Sequence, residues 1–497
     1  MNRPASSPGG RRAIRRLATL SIGFLTTPIM LSAQTGGPRP ASTTPPVLGP
    51  ARALVLPQMS EKMLANGLKL VVVERHELPI IDAALVIRTG SEADGVARGG
   101  LAGITASMLD RGAGSRDAMD LAEEIGYLAI SLRSGAGFES STISLHTTRA
   151  TLDSAMHLMA DLALRPAFSG QEFERLKSER LTSLLQEQDR GPALATRAFS
   201  SMVFGPQHPY GRSVSGSRET VESITLSDVQ KFWEQWYRPN NATLVVVGDL
   251  KLSEAEALAQ REFGAWQKAT LPPAPVYPST RQALRPTTVT IIDKPGAAQS
   301  SFRIGGIGVA RNTADYYPLM VMNTALGGSF TSRLNNTLRE KKGYTYGASS
   351  GFTMRREAGP FTASAEVVSA KTDSALIEFM NELKGIRSPM PREELERAKR
   401  YLQLGYAGRF ESNSSIASQI AALIPYDLPL STLGAFDQGI GKVSAADVQR
   451  VATRYIDPDH FVIVIAGDRA SIEPALKATG VAPVEIGGVD GRVMKDP

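Results

Sequence analysis

An internal repeat constrains this chain more than any other feature of its sequence. Residues 227–250 align without gaps on residues 446–469, an offset of 219 positions (446 − 227 = 219). In each copy a capping pair opens an amphipathic helix, a proline stops the helix, and a buried strand ends in Gly-Asp. The residues concerned are Thr225, Asp228 and Pro239 in the first copy and Ser444, Asp447 and Pro458 in the second. Their shared order predicts one fold duplicated along the chain.

A proline-rich stretch between the two copies predicts the domain boundaries. Four prolines lie within residues 271–278, a composition typical of a linker. We therefore expect an N-terminal domain over residues 55–268, a linker over residues 269–285 and a C-terminal domain over residues 286–490.

Each half shows strand patterns ahead of long helical patterns. The predicted strands cover residues 68–75 and 82–89 in the first half and residues 288–293 and 301–309 in the second. A helix is predicted from Phe173 to Leu185, opened by a capping box of Ser169 and Glu172. Each half is therefore predicted to be α+β, with a mostly antiparallel sheet and helices packed on one face.

The N-terminus has the pattern of a secretory signal peptide. Clustered arginines precede an apolar run over residues 17–31 and the small pair Ser32 and Ala33, which predicts a signal peptide over residues 1–33 and a flexible leader over residues 34–54. A retained membrane anchor is the alternative, although the run is short for a span, which needs ~20 apolar residues. An exported chain with no cysteine has no disulfide framework, and we expect a periplasmic location.

Charge excludes one class of partner. The net charge of +6 is spread along the chain, and the densest cluster of arginines lies in the predicted signal peptide, whereas a nucleic-acid-binding protein clusters its lysines and arginines on one face. No nucleic-acid partner is therefore expected.

Several short motifs, in a fixed order, resemble those of one peptidase family. They are NGL at residues 66–68, GLA at 100–102, HPYG at 208–211, RPNN at 238–241, GGSFTSRL at 327–334 and LREKKGYTYG at 338–347. With these motifs the chain resembles the pitrilysin/insulinase family of zinc peptidases, which includes the mitochondrial processing peptidases. The resemblance covers nearly the whole mature chain and implies the two-domain fold of that family.

The resemblance also shows what this chain lacks. In the family, a helix carries HxxEH, in which two histidines four residues apart bind zinc and the glutamate is the general base. At the matching positions this chain has Gly103, Ala106 and Ser107, and the family's third ligand, a glutamate, is replaced by Leu184. Glu187 takes that role only if the alignment slips by three residues. We expect no metal on this chain.

The five histidines do not supply another zinc site. They are His76, His146, His157, His208 and His460, and no two of them are four residues apart. Without cysteines a mixed Cys/His site is excluded as well. Each histidine is therefore interpreted as structural, including His208 within the HPYG motif.

The second half keeps the other part of the family's active site. The resemblance implies that Arg339 and Tyr346 hold substrate, the tyrosine by donating to the scissile carbonyl and the arginine by anchoring the peptide. Tyr344 is the alternative to Tyr346, and strand alternation would place both on one sheet face.

Three functions remain open from the sequence. The leading hypothesis is a subunit inactive on its own, which binds peptide substrate and completes the zinc site of an HxxEH-containing partner. The second is a non-catalytic scaffold or peptide-binding protein of the same fold. The third, a self-sufficient peptidase, conflicts with the absent metal ligands.

Overall fold

The structure is a computed structural model and describes residues 54–278 and 285–494. The predicted signal peptide, the predicted leader up to residue 53 and residues 279–284 of the predicted linker lie outside the described residues. Among the described residues no helix combines the length and the apolar character needed to cross a bilayer.

The first half alternates strands and helices around one sheet. Its elements are β1 (Met59–Met63), β2 (Lys69–Glu74), β3 (Ile80–Ile87), α1 (Leu101–Leu109), α2 (Ala118–Tyr127), β4 (Ser131–Ala136), β5 (Ser141–Thr148), α3 (Leu152–Leu164), α4 (Gly170–Glu187), α5 (Gly191–Phe204), α6 (Arg218–Ser223), α7 (Leu226–Trp236), β6 (Ala242–Gly248) and α8 (Leu252–Phe263). The strand order is β1-β2-β6-β3-β5-β4, so β4 is an edge strand. Among the described strands of this sheet, β2 and β6 are the parallel pair.

The second half repeats this arrangement. Its elements are β7 (Thr288–Asp293), β8 (Gln299–Ile307), α9 (Tyr316–Asn323), α10 (Arg333–Asn335), β9 (Thr345–Phe352), β10 (Pro360–Val368), α11 (Thr372–Gly385), α12 (Arg392–Ala407), α13 (Asn413–Ala421), α14 (Ser431–Gly434), α15 (Phe436–Lys442), α16 (Ala445–Tyr455), β11 (Val462–Gly467), α17 (Arg469–Ala478) and β12 (Val484–Gly487). The strand order is β12-β7-β11-β8-β10-β9, with β9 at an edge. The two sheets confirm the predicted α+β class, and β12-β7 and β7-β11 are the parallel pairs of the second sheet.

The repeat extends well beyond the segments detected in the sequence. Corresponding elements begin at nearly constant offsets: 219 for β2 and β7 (288 − 69), 220 for α3 and α11 (372 − 152), and 222 for α5 and α13 (413 − 191). The predicted capping pairs form in both copies, with the Thr225 and Ser444 hydroxyls donating to the Asp228 and Asp447 carboxylates. The duplication therefore covers five strands of each sheet and the helices between them. The sixth position differs, because β1 precedes β2 and pairs antiparallel with it, whereas β12 follows β11 and pairs parallel with β7.

The structure adds a feature to the prediction that helices cover one face of each sheet. Each sheet also carries one helix of the other half on its opposite face. Helix α5 packs Leu194 and Phe199 against Val464 of the second sheet, and α13 packs Ile416 and Ile420 in one cluster with valines of the first sheet. Both helices are amphipathic, but periodicity does not reveal which sheet a helix covers. The exchange interlocks the two halves.

The predicted capping box of Ser169 and Glu172 is wrong. Ser169 does precede the first residue of α4, but its side chain accepts no hydrogen bond from the helix. Glu172 instead accepts from Arg175 one turn further on. The ion pair on the helix surface has replaced the cap.

Candidate functional site

A buried carboxylate fixes helix α1, the helix that would carry the zinc ligands. The Asp94 carboxylate accepts the backbone N–H groups of Gly100 and Ala102, at 2.8 and 2.9 Å. Gly100 has a φ of +98°, in the region that favours glycine. Burial raises the pKa of Asp94 to about 7. Two N–H groups at the helix start are thereby satisfied.

The positions that match the zinc ligands are occupied by groups that do not suit a metal. Gly103 and Ala106 are buried in α1, and Leu184 is 3% exposed within the core of the first half. A Cβ added to Gly103 would lie 3.6 Å from the Val214 carbonyl oxygen and 3.8 Å from Arg180 Nη2.

These surroundings do not fit a zinc ion. Zinc in proteins is bound by imidazole, thiolate or carboxylate groups, and the site offers a glycine, an alanine, a serine hydroxyl and a leucine. The Arg180 guanidinium next to Gly103 adds a positive charge, which repels a divalent cation. Arg180 is not predictable from the sequence, because a surface arginine on an amphipathic helix gives no distinguishing signal.

Glu187, the alternative ligand, has a different partner. It is the last residue of α4, and its carboxylate lies 3.9 Å from Arg197 Nη2. Within residues 54–278 and 285–494 no group of three or more His, Asp or Glu residues is placed to hold a metal ion. The position of Glu187 therefore provides one carboxylate beside a guanidinium.

The histidines lie apart from one another. Four of them contact a carboxylate through Nδ1, and the pairs are His76 with Asp249 at 2.7 Å, His146 with Asp82 at 2.9 Å, His157 with Glu262 at 3.0 Å and His460 with Asp457 at 2.7 Å. His208 is buried, and its Nδ1 accepts the Tyr210 N–H at 3.0 Å. Burial lowers the pKa of His208 to about 4, so its ring is neutral near pH 7.

Arg339 lies in an irregular helical region next to the edge of the second sheet. Residues Thr324–Gly328 and Asn336–Lys341 are π-helical, a geometry that is frequent at functional sites. The Arg339 guanidinium lies 4.2 Å from the ring centre of Phe330, and Nη1 donates to Glu340 at 2.8 Å. Phe330 itself is 62% exposed, so an aromatic and a cationic group are presented together.

Tyr346 lies in a β-bulge of the edge strand β9. The register against β10 shifts between Thr345 and Ala348, where three steps on β9 oppose two on β10. The Tyr346 side chain is 92% exposed. The expectation that Tyr344 shares its face is wrong, because Tyr344 precedes the strand and packs against the core. A bulge re-aims a side chain, and simple alternation does not predict it.

The two predicted residues lie at the same edge of the second sheet. The Arg339 segment is fixed to β9, because the Tyr344 N–H donates to the Leu338 carbonyl at 2.8 Å. No hydrogen bond or cation–π contact joins Arg339 and Tyr346 in the described part of the chain. We call Phe330, Arg339 and Tyr346 the edge surface.

Comparisons with known proteins agree with this architecture. Residues 70–215 match the model of the insulinase family, peptidase family M16, and residues 223–402 match that of the M16 inactive domain. A zinc protease of Rickettsia bellii, described as uncharacterized, is 23% identical over 82% of this chain and 97% of its own. A non-peptidase homolog of Helicobacter pylori, YmxG, is 23% identical over 80% and 91%.

A solved structure has the same fold. The crystal structure of a peptidase M16 inactive domain from Pseudomonas fluorescens superimposes with a TM-score of 0.75 and 29% identity, covering 82% of this chain and 98% of that one. The chain therefore belongs to peptidase family M16. Within that family it is of the non-catalytic type, since HxxEH is absent from its sequence.

Proposed function

We propose that this chain is the subunit without a zinc site in a two-subunit M16 peptidase. It binds peptide substrate and presents Arg339 and Tyr346 to the active site of a partner that carries HxxEH and zinc. The pair is exported and works in the periplasm. The N-terminal sequence pattern and the absence of cysteine support this location.

The exposure of Tyr346 carries the proposal. A tyrosine that is 92% exposed on a bulge of an edge strand forms no packing contact that would explain it as a core residue. Its hydroxyl faces solvent, where a donor to a carbonyl of another molecule is useful. Phe330 and Arg339 stack on each other, so two of the three residues of the edge surface hold each other in place.

The geometry of Gly327 explains how the edge surface is held in place. A Cβ on Gly327 would overlap the Ser350 backbone N and lie 2.5 Å from Ser350 Oγ. The GGSF segment therefore packs directly against β9 because it lacks side chains at this point. The close approach fixes the segment that leads to Phe330 against the strand that carries Tyr346.

Reconstitution with a zinc-bearing relative tests the proposal. The chain is purified alone and mixed with the HxxEH-containing M16 protein of the same organism, and turnover of a quenched-fluorescence peptide is measured. We expect turnover to appear in the mixture and to exceed the sum of the separate proteins. Tyr346→Phe removes one hydroxyl donor, which at an oxyanion position lowers kcat by about 100-fold or more.

The controls separate a catalytic role from a scaffold role. Tyr127→Phe removes a hydroxyl from another exposed tyrosine, 89% exposed on α2, and should leave turnover unchanged. Arg339→Ala should raise KM, and Arg218→Ala, at an exposed ion pair of α6, should not. If the mixture keeps full turnover with Tyr346→Phe and Arg339→Ala, the chain is a scaffold of the same fold and the proposal is refuted.

A further inference from the structure

A pocket between the two halves lies beside the position where zinc would have been bound. Its volume is about 630 Å³, within the range of ligand sites. Val214, whose carbonyl oxygen covers Gly103, is part of its wall. Five of its lining residues are arginines, three from the first half and two from the second: Arg190, Arg197, Arg212, Arg303 and Arg355. We call it the arginine pocket.

The guanidinium groups are positioned mainly by neutral oxygens. Arg212 Nη2 donates to the Asp94 carbonyl at 2.9 Å, and Arg197 Nη2 donates to the Gly216 carbonyl at 3.1 Å. Arg303 donates to the Thr196 hydroxyl at 3.0 Å and to the carbonyls of Phe302 and Pro192, at 2.6 and 3.3 Å. A carbonyl fixes a guanidinium without cancelling its charge. The arginines are therefore held in place and remain available to an anion.

Few carboxylates oppose this charge. Glu187 reaches Arg197 at 3.9 Å, and Glu366 reaches Arg303 at 3.5 Å. The Asp94 side chain is occupied by the N–H groups at the start of α1. Asp94 nevertheless acts electrostatically on Arg212, and Glu139 acts on Arg355. Five guanidinium groups against these four carboxylates still leave the pocket positive, and burial lowers the pKa of Arg212, Arg303 and Arg355.

Arg355 is the residue that most needs a ligand. Its guanidinium lies 3.6 Å from the ring centre of Phe138 and 4.5 Å from that of Tyr210. Its Nη1 is buried and has no hydrogen-bond partner. An unpaired buried donor is costly, and a shift of the Arg355 side chain into the pocket would let a carboxylate oxygen satisfy it with a charge-assisted bond.

The surroundings favour a peptide as the source of the anion. Strand β4 is an edge strand whose Ser134 hydroxyl donates to the Ala106 carbonyl of α1 at 2.6 Å. Phe138, two residues beyond the end of β4, lines the pocket. A peptide added to β4 as an extra strand would therefore run into the pocket, whose apolar lining by Phe138, Val214 and Pro192 suits a chain rather than a bare ion.

We infer that the arginine pocket binds a carboxylate of an extended peptide, so that this chain selects acidic peptides. The carboxylate is a Glu or Asp side chain or the C-terminal group. This assignment rests on the proposed function, because it names the class of peptide that the chain binds. The binding itself involves this chain alone. Its test needs no partner subunit.

Binding of three labelled decapeptides to the isolated full chain tests the assignment by fluorescence anisotropy. The first has two glutamates and an amidated C-terminus, the second has glutamines in their place, and the third is the glutamine peptide with a free C-terminus. At least one acidic peptide should bind about tenfold or more tightly than the neutral one, as expected for one charge-assisted hydrogen bond. The preferred peptide identifies the source of the carboxylate.

Variants locate the binding site. Arg355→Gln should reduce the preference for the acidic peptide about tenfold. Arg190→Gln, at an exposed residue that carries no folding risk, should reduce it as well. Arg218→Gln, outside the pocket on α6, is the matched control. Raising the salt from 0.1 to 1 M, which shortens the screening length from about 10 to about 3 Å, should weaken acidic-peptide binding.

Three results would overturn the assignment. They are equal affinity for all three peptides, binding of inorganic phosphate in a chain that binds neither acidic peptide, and unchanged preference in both pocket variants. Because these measurements use the isolated chain, their failure leaves the reconstituted turnover of the proposed function standing. Absent turnover in the mixture would likewise leave the peptide preference intact.

Discussion

Replacing Glu92 by glutamine is predicted to change how the stability of the chain depends on pH. Glu92 is buried where the halves meet: Tyr277 donates its hydroxyl to the carboxylate, and Arg356 Nη2 of the second half is 3.4 Å away. Both contacts favour the charged carboxylate, but burial outweighs them and raises the pKa of Glu92 from 4.5 to about 7. The folded chain therefore holds this proton more tightly than the unfolded chain.

The sign and size of the effect follow from linkage. A group whose pKa is raised on folding contributes stability that is fully present below the pKa of the unfolded chain. This contribution is lost as the pH rises through the pKa of the folded chain. A shift from 4.5 to about 7 corresponds to about 3 kcal/mol, lost mostly between pH 5 and 7. Glutamine stays neutral and is not subject to this loss. The free energy of unfolding of Glu92→Gln minus that of the wild type should therefore rise by about 2–3 kcal/mol between pH 5 and pH 8.

Urea unfolding at pH 5 and pH 8 measures this gain. Asp94, with its pKa raised to about 7, and His208, with its pKa lowered to about 4, also make stability depend on pH. They are present in both proteins, so the difference between variant and wild type isolates Glu92. Glu357→Gln, at an exposed carboxylate next to Arg356 between β9 and β10, is the control. A difference that does not change with pH would refute the reasoning.

Two further predictions concern packing. Phe199→Ala, on the exchanged helix α5 where Phe199 is 2% exposed, should lower the free energy of unfolding by about 3–5 kcal/mol. Both halves should unfold in one urea transition because α5 joins them, and separate transitions would contradict the interlock. The control Leu185→Ala, at a residue 60% exposed, should change the free energy of unfolding by less than about 0.5 kcal/mol. Gly327→Ala should destabilise the chain by about 1–3 kcal/mol through overpacking against Ser350. Differential scanning calorimetry measures the loss, and an unchanged melting temperature would show that the GGSF segment does not need its close approach to β9.

The strands, the duplicated caps and the family were predictable because each depends on local sequence. The predicted strand at residues 288–293 coincides with β7, and that at 301–309 overlaps β8. Both Thr225 and Ser444 cap their helices as predicted, since a cap needs only neighbours within one turn. Ser169 fails at the same task because Glu172 binds Arg175 instead.

The remaining features depend on contacts between distant residues. The exchange of α5 and α13 between the halves, the Arg180 guanidinium next to Gly103 and the buried donor of Arg355 each involve partners far apart in sequence. The exposure of Tyr346 arises from a bulge, which adds one residue to a strand without any sequence marker beyond Gly347. Arg339 and Tyr346 were therefore named from the sequence, but the contribution of Phe330 and the presentation of the edge surface were not.

The zinc content of the isolated chain tests the central claim most directly. The chain is purified, incubated with zinc, passed through a desalting column and measured by inductively coupled plasma mass spectrometry, with an HxxEH-containing M16 protein treated identically. We predict zinc well below one ion per chain, because Gly103, Ala106, Ser107 and Leu184 offer no ligand set and Arg180 adds a positive charge. One tightly held zinc ion per chain would contradict the proposal that this subunit depends on a partner for its metal.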